Sequence, residues 1–359
     1  MTQEELTKLN IGQNLDNLMN LDPRGYGVCR ILYKAAREYT GKPLSINAAE
    51  QLVKLVKDGD IVYIITGFVL LSHKKAEMDG IIGAMFLARS LVKAFNAKPV
   101  IVCPEDNLKA VENLAYITGL HLYKDIDELK KYPVSMGVIT FTKDPSTAAA
   151  QSLDILKKAL PPVVISTEAP GANKRGVYHN ATGLDVTALE ARADVFFKTA
   201  KDKGIPTIAI GDLGNEIGMG AIGAHLDKYI PYAAEGRCRC GCGGGIAAAT
   251  AADHIVTATV SDWGANALIA ALAFLTEKPD VLHSVDDEKR AIYTASESGM
   301  IDMHGWLIPA IDGFDIEINL AILKLMKECI EYAPKLKDSC KTWFEKVGEL
   351  KFFEENKNI

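Results

Sequence analysis

The sequence predicts an α/β fold, a three-layer, mostly parallel sheet with helices on both faces and a C-terminal helical cover. Three observations carry that prediction. Short β-branched runs at about 61–66, 99–103, 136–141, 163–167 and 207–211 show no polar alternation, as in strands covered on both faces. Helical stretches at about 80–96, 106–118, 144–160 and 187–203 separate them, so strand and helix alternate and right-handed crossovers follow. Neither a glycine-serine or proline linker nor an internal repeat divides the 359 residues, which favours a single domain over 1–359.

The remaining elements follow in chain order. Residues 1–58 read as a polar start and N-terminal helices. The first, from Pro23 to Tyr39, carries Val28, Ile31, Leu32 and Ala35 on one face. The second begins near Asn47, with Glu50 three residues on as a capping box, and stops at Asp58-Gly59. Gly245 to Thr250 and His254 to Val260 add one or two strands before a helix at about 262–276. Amphipathic runs near 285–298, 315–332 and 338–353 make residues 280–359 the helical cover.

Composition excludes several classes. With 48% hydrophobic and 24% charged residues the chain is not disordered, and a net charge of −6 offers no field for a polyanion, so nucleic acid is not expected as a partner. The longest apolar stretch, Ile61 to Leu71, is broken by Thr66 and Gly67 and is shorter than the roughly 18 residues of a membrane span. An acidic start, Met-Thr-Gln-Glu-Glu-Leu, and an odd count of seven cysteines fit a reducing cytoplasm. Cys29, Cys103, Cys329 and Cys340 read as small buried hydrophobes.

In an open parallel sheet, ligands bind beyond the carboxyl ends of the strands. Asp79, Glu168 and Asp212 fall at equivalent places in three strand-to-helix turns. Glu168, opening a loop after a buried strand, is a candidate general base. The segment Gly211 to Gly220 holds four glycines at 211, 214, 218 and 220, matching neither a Walker loop nor G-x-G-x-x-G. Its amides could receive an anion, its carboxylates could hold Mg²⁺ or Mn²⁺, or Asp212 and Asn215 could simply cap a helix. Asp79 is open to the same two readings, ligand or cap. His73, Lys74 and Lys75 form either a solvated loop or a basic rim. Ser261 reads as a helix cap, while Asp262 and Asn266, four apart, could reach one pocket.

Cys238, Cys240 and Cys242 place three thiols in five residues. They lack the C-x-x-C spacing of a zinc knuckle, so a flexible glycine-rich loop competes with a metal site completed by His225 or His254.

Together these stretches resemble the D-glutamate cyclase family, specifically its C-terminal catalytic-type domain, which also occurs free-standing in prokaryotes. The matching pieces are Thr66-Gly67-Phe68 with Glu77-Met78-Asp79-Gly80, and Glu168-Ala169-Pro170-Gly171 with Gly176 to Asn180. Gly211-Asp212 with Gly214 to Gly220, and Ala252-Asp253-His254 with Ser261 to Gly264, complete the set, spanning about 20–330. Asn215-Glu216-Ile217-Gly218-Met219-Gly220 is the most specific. Leu213, Met78, Asp262 and Arg175 depart from the family's usual Gly, Thr, Asn and acidic residue.

The resemblance implies a lyase that cyclises D-glutamate to 5-oxo-D-proline with loss of water. The chemistry of that reaction calls for a base and for a Lewis acid, with Glu168, Asp212 and Glu216 as the expected catalytic residues and Asp79, Asp212 and Glu216 as the expected metal site. Thr66, Asn180, Asn215, Gly218, Gly220 and Asp262 are then expected to bind substrate. Mg²⁺ or Mn²⁺ is the expected cofactor, with no nucleotide. A small amino acid is the expected partner, self-association is left open, and no membrane is involved. A metal-dependent hydrolase or phosphatase acting on a small acid, or a non-catalytic binder of an amino acid or nucleotide, are the competing classes.

Overall fold

The computed structural model describes residues 2–336 and 338–356. Helices α1 (Gln3–Met19), α2 (Val28–Thr40) and α3 (Leu44–Leu55) lead into strand β1 (Ile61–Ile65) and a hairpin of β2 (Val69–Leu70) and β3 (Lys75–Ala76). The alternating region comprises α4 (Ile81–Phe95), β4 (Lys98–Cys103), α5 (Leu108–Thr118), β5 (His121–Tyr123), α6 (Ile126–Leu129), β6 (Ser135–Thr140), α7 (Pro145–Lys158) and β7 (Val164–Thr167). It continues with α8 (Ala193–Asp202), β8 (Thr207–Gly211), α9 (Gly223–Tyr229), β9 (His254–Thr257) and α10 (Ser261–Leu275). Then come α11 (Val285–Glu297), the hairpin of β10 (Ala310–Ile311) and β11 (Phe314–Asp315), α12 (Ile316–Leu336), α13 (Lys341–Glu349) and α14 (Phe352–Glu355). No helix among the described residues is long and apolar enough to cross a membrane.

Seven strands form the main sheet in the order β5-β6-β4-β1-β7-β8-β9. Every neighbouring pair is parallel, with Tyr63 of β1 aligned on Val100 of β4 and Val164 of β7. The α/β fold and the helical C-terminal region are therefore as expected. Strands β1, β4 and β8 are buried along their whole length, which is why their sequences read as unbroken apolar runs. The chain leaves β1 toward β4 and returns at β7 on the other side of β1. The β1/β7 boundary is thus the topological switch point, where an open sheet leaves a crevice.

Helix α10 is apolar on all sides and buried from Ser261 to Ala273, packed among α1, α3, α4 and α12. Its approach to α4 depends on Gly83, where a Cβ would stand 2.6 Å from the Ala265 Cβ and 2.7 Å from the Asp262 Oδ1. The Gly83 N–H donates to that same oxygen at 2.7 Å.

Several local expectations need correction. The polar start is helix α1, whose buried apolar side chains are Leu6, Ile11, Leu15 and Met19 among many amides. Helix α3 begins at Leu44, so Asn47 lies inside it. Glu50 pairs with Lys8 and Lys42 rather than closing a capping box. The cap is remote: buried Asp16 of α1 accepts from the Leu44 N–H at 2.7 Å, the Ser45 N–H at 3.0 Å and the Ser45 hydroxyl at 2.7 Å. Gly245 to Thr250 forms no strand, because its amides go to three different loops, at Tyr232, Gly214 and Ala172.

Gly83→Ala should destabilise the protein by about 1–3 kcal/mol, since two packed helices must separate to admit the methyl group. Urea unfolding of the two proteins side by side measures this, and an unchanged midpoint would contradict the close approach of α4 and α10.

Candidate active site

The carboxyl ends of β1, β7 and β8 converge on a cluster of acids. Asp79 follows the β2–β3 hairpin, Glu168 follows β7, Asp212 and Glu216 follow β8, and Asp312 stands in the turn between β10 and β11. Ligand atoms of Asp79, Asp212 and Asp312 lie within 4.8 Å of one another, as do those of Glu168, Asp212 and Glu216. Asp212 belongs to both groups, and its carboxylate accepts no hydrogen bond from the described residues. The expected trio of Asp79, Asp212 and Glu216 is thus divided between two overlapping groups, and Asp312 joins the cluster without any signal in its own sequence neighbourhood.

Two of the acids are held by backbone amides. Glu216 folds back under the glycine loop: its Oε1 accepts from the Asp212 and Leu213 N–H groups at 2.8 and 2.7 Å, and its Oε2 from Gly214 at 2.6 Å. Asp79 reaches across the crevice to the start of α10. Its Oδ1 accepts from Gly80 at 2.8 Å and Asp262 at 2.9 Å, and its Oδ2 from Ser261 at 3.0 Å. It caps α10 in place of Ser261, whose hydroxyl instead donates to the Glu168 Oε2 at 2.6 Å. Glu168 has a φ of +41°, and a Cβ on Gly80 would lie 2.3 Å from the Glu168 Cβ, so a glycine at position 80 lets the strained Glu168 turn fit beside α4.

Burial sets the protonation of the cluster. Glu168 is held well above its ordinary range by desolvation and then by Glu216, Asp79 and Glu77, with the Ser261 hydroxyl pulling the other way. Asp79 is raised to about 7 by burial and then Asp312, against its three amide donors. Asp212 keeps some exposure, yet burial followed by Glu168, Asp312 and Asp79 raises it strongly. Asp262 and Glu77 are raised for the same first reason.

The cation at the rim is Arg24, which the sequence showed only as part of a turn. It donates to the Asp312 Oδ2 and the Thr259 carbonyl, both at 2.8 Å, and its guanidinium lies 4.9 Å over the Phe314 ring. Burial opposes its charge, but Asp312, with Asp212 and Asp22, keeps it above the ordinary value.

The other expected residues separate into distinct settings. The Thr66 hydroxyl, just past β1, is buried without a partner, as are those of Thr167 and Thr257 at the ends of β7 and β9. Asp262 Oδ2 and Asn266 Oδ1 are also unpartnered, and the Asn266 amide donates to Glu288 at 3.2 Å. The Asn215 side chain donates to the His179 carbonyl at 2.9 Å. The Asn180 side chain closes its own turn through the Thr182 and Leu184 amides. The Gly218 and Gly220 amides donate to Thr250, so neither is free to receive an anion. His73, Lys74 and Lys75 lie exposed at the tip of the β2–β3 hairpin. His254 bonds Asn47 and the His225 ring lies tilted against Tyr229; the side chain beside Cys238, Cys240 and Cys242 is His179. A cleft of about 1010 Å³ lies at the other end of α10, lined by Phe274, Leu275 and Pro334 and remote from the acids.

The family described as D-glutamate cyclase-like, C-terminal, matches residues 15–327 of this chain. The human protein D-glutamate cyclase, mitochondrial, is 27% identical over 271 residues, which cover 73% of this chain and 39% of that relative. The chain therefore spans well under half of the relative's length.

Glu190, fully buried with Oε1 accepting from the Val69 N–H at 3.1 Å and Oε2 unpartnered, is raised by burial from 4.5 to about 8. The folded state retains this proton while the unfolded chain loses it, so stability declines as pH rises from 4.5 toward 8. Glu190→Gln removes the titration, and the stability of wild type relative to this variant should fall over that interval in denaturant titrations. A constant difference would refute the assignment.

Proposed function

Because the chain belongs to the D-glutamate cyclase-like family, we propose that it is a lyase that closes D-glutamate into 5-oxo-D-proline with release of water. The observation that carries the reading is the pair of close carboxyl groups that share Asp212 beside the sheet's switch point, with Arg24 at their rim.

The reaction joins an amine and a carboxyl of one molecule, so holding the chain in a folded-back shape supplies much of the activation. The acids attract the substrate ammonium, and Arg24 draws a substrate carboxylate toward the Asp312 side. The amine must shed a proton to become a nucleophile, and the nitrogen must shed a second as the lactam forms. The departing oxygen needs two protons to leave as water. One carboxyl that accepts and returns protons therefore balances the reaction, and Glu168 is suited to it. Its raised affinity for protons makes it a better base than an ordinary glutamate, and the Ser261 hydroxyl orients its Oε2.

The donor set around Asp212 is all oxygen, closely spaced, and carries more acids than cations, which fits a hard divalent ion. Asp212 with Asp79 and Asp312, or with Glu168 and Glu216, would hold Mg²⁺ or Mn²⁺, which when bound supplies Lewis acidity toward a carboxylate oxygen.

Incubation with D- and L-glutamate, following lactam formation with and without chelator, tests the proposal. D-glutamate should cyclise, chelation should stop it, and Mn²⁺ or Mg²⁺ should restore it. Glu168→Gln should lower kcat by about 10²-fold or more, and Asp212→Asn should abolish activity while both variants stay folded. Absence of lactam from either enantiomer under every metal condition would rule the activity out.

A further inference from the structure

Away from the acid cluster, the loop at 236–245 gathers its three thiols around one imidazole. The His179 Nε2 is 3.1 Å from the Cys240 Sγ and 3.6 Å from the Cys242 Sγ. The Cys238 Sγ is 3.5 Å from that of Cys242 and 3.8 Å from that of Cys240. We propose that His179, Cys238, Cys240 and Cys242 form a structural zinc site.

The distances decide among the chemistries open to such a group. A disulfide needs sulfurs about 2.05 Å apart, and all seven cysteines are free. Tetrahedral Zn²⁺, with Zn–S of about 2.3 Å and Zn–N of about 2.0–2.1 Å, places ligand atoms about 3.5–3.8 Å from one another. Three of the four separations, 3.5, 3.6 and 3.8 Å, fall in that range, and the His179–Cys240 distance of 3.1 Å lies just below it. An iron-sulfur cluster, with several irons and bridging sulfides inside its ligands, would hold the sulfurs farther apart. Four protein ligands fill a tetrahedron, so no position is left for substrate and the role is structural.

The surroundings suit thiolates. The Cys242 N–H points at the Cys240 Sγ at 3.5 Å, the Gly244 N–H at the Cys242 Sγ at 3.4 Å, and the Asn173 side-chain amide at the Cys242 Sγ at 3.5 Å. Gly236, Gly241, Gly243 and Gly245 all have positive φ, which lets five residues return three sulfurs to one point. The spacing is C-x-C-x-C rather than a knuckle, so the glycines do the work of the longer spacer.

The consequence is a clip between two loops. His179 belongs to the segment after β7, and its carbonyl receives the Asn215 side chain from the loop that carries Asp212. The Arg239 N–H donates to the Gly183 carbonyl at 2.8 Å beside it. Zinc would thus fix the segment to which the Asp212 loop is anchored through Asn215, releasing thiol protons as it binds. The proposal does not depend on which reaction the acids perform.

The full chain, purified in reducing buffer, should carry about one zinc per molecule by elemental analysis. After exchange into Co²⁺ it should show thiolate-to-cobalt charge transfer and tetrahedral d–d absorption. Cys240→Ser and His179→Ala should each lose the zinc, and Cys340→Ser, outside the group, should keep it. If a ligand variant fails to fold, the wild-type cobalt spectrum still decides. A folded wild-type protein that takes up no zinc, or one whose cobalt spectrum lacks thiolate bands, overturns the proposal. Neither readout involves lactam formation, so failure of the cyclase reading would leave this result intact.

Discussion

The carboxylate of Asp79 on the N-terminus of α10 is the interaction on which the site depends. Helix α10 runs through the interior with no polar face, so its first amides have no water to bond and must be satisfied by the protein. Asp79 satisfies those of Ser261 and Asp262 together, and the helix dipole favours negative charge there. In doing so it draws the segment after β1 against the start of α10. The Ser261 hydroxyl, freed from the capping task, turns to Glu168. One buried contact therefore joins three stretches that are far apart in the chain.

Concentrating acids in such a place has a thermodynamic consequence. Each added carboxyl raises the proton affinity of its neighbours, and desolvation does so first. Arg24 eases part of this at Asp312. Asp212, whose carboxylate accepts no hydrogen bond from the described residues, belongs to both close groups. A site of this kind either retains protons or binds a cation.

The legibility of this molecule in its sequence follows the range of the interactions involved. Strands β1, β4, β6, β7 and β8 are legible because burial of most of their residues on both faces leaves short β-branched runs without polar alternation. Helix α1 was obscured by its amides, since a narrow stripe of Leu6, Ile11, Leu15 and Met19 suffices against α3, α10 and α12. The caps were obscured for another reason. Local patterns placed one at Asn47 and one at Ser261, whereas Asp16 and Asp79 do the work from 28 and 182 residues away.

The α/β layering, the strand-end position of Asp79, Glu168 and Asp212, and the clustering of three thiols are legible in the residues alone. These depend on periodicity and near-neighbour spacing. The tertiary structure decided that Asp312 and Arg24 join the acids, that His179 rather than His225 or His254 meets the thiols, and that the Gly218 and Gly220 amides are already bonded to Thr250. Those outcomes arise from contacts between segments tens to hundreds of residues apart, and their partners are chosen by the packing of the sheet and α10, which no local pattern encodes.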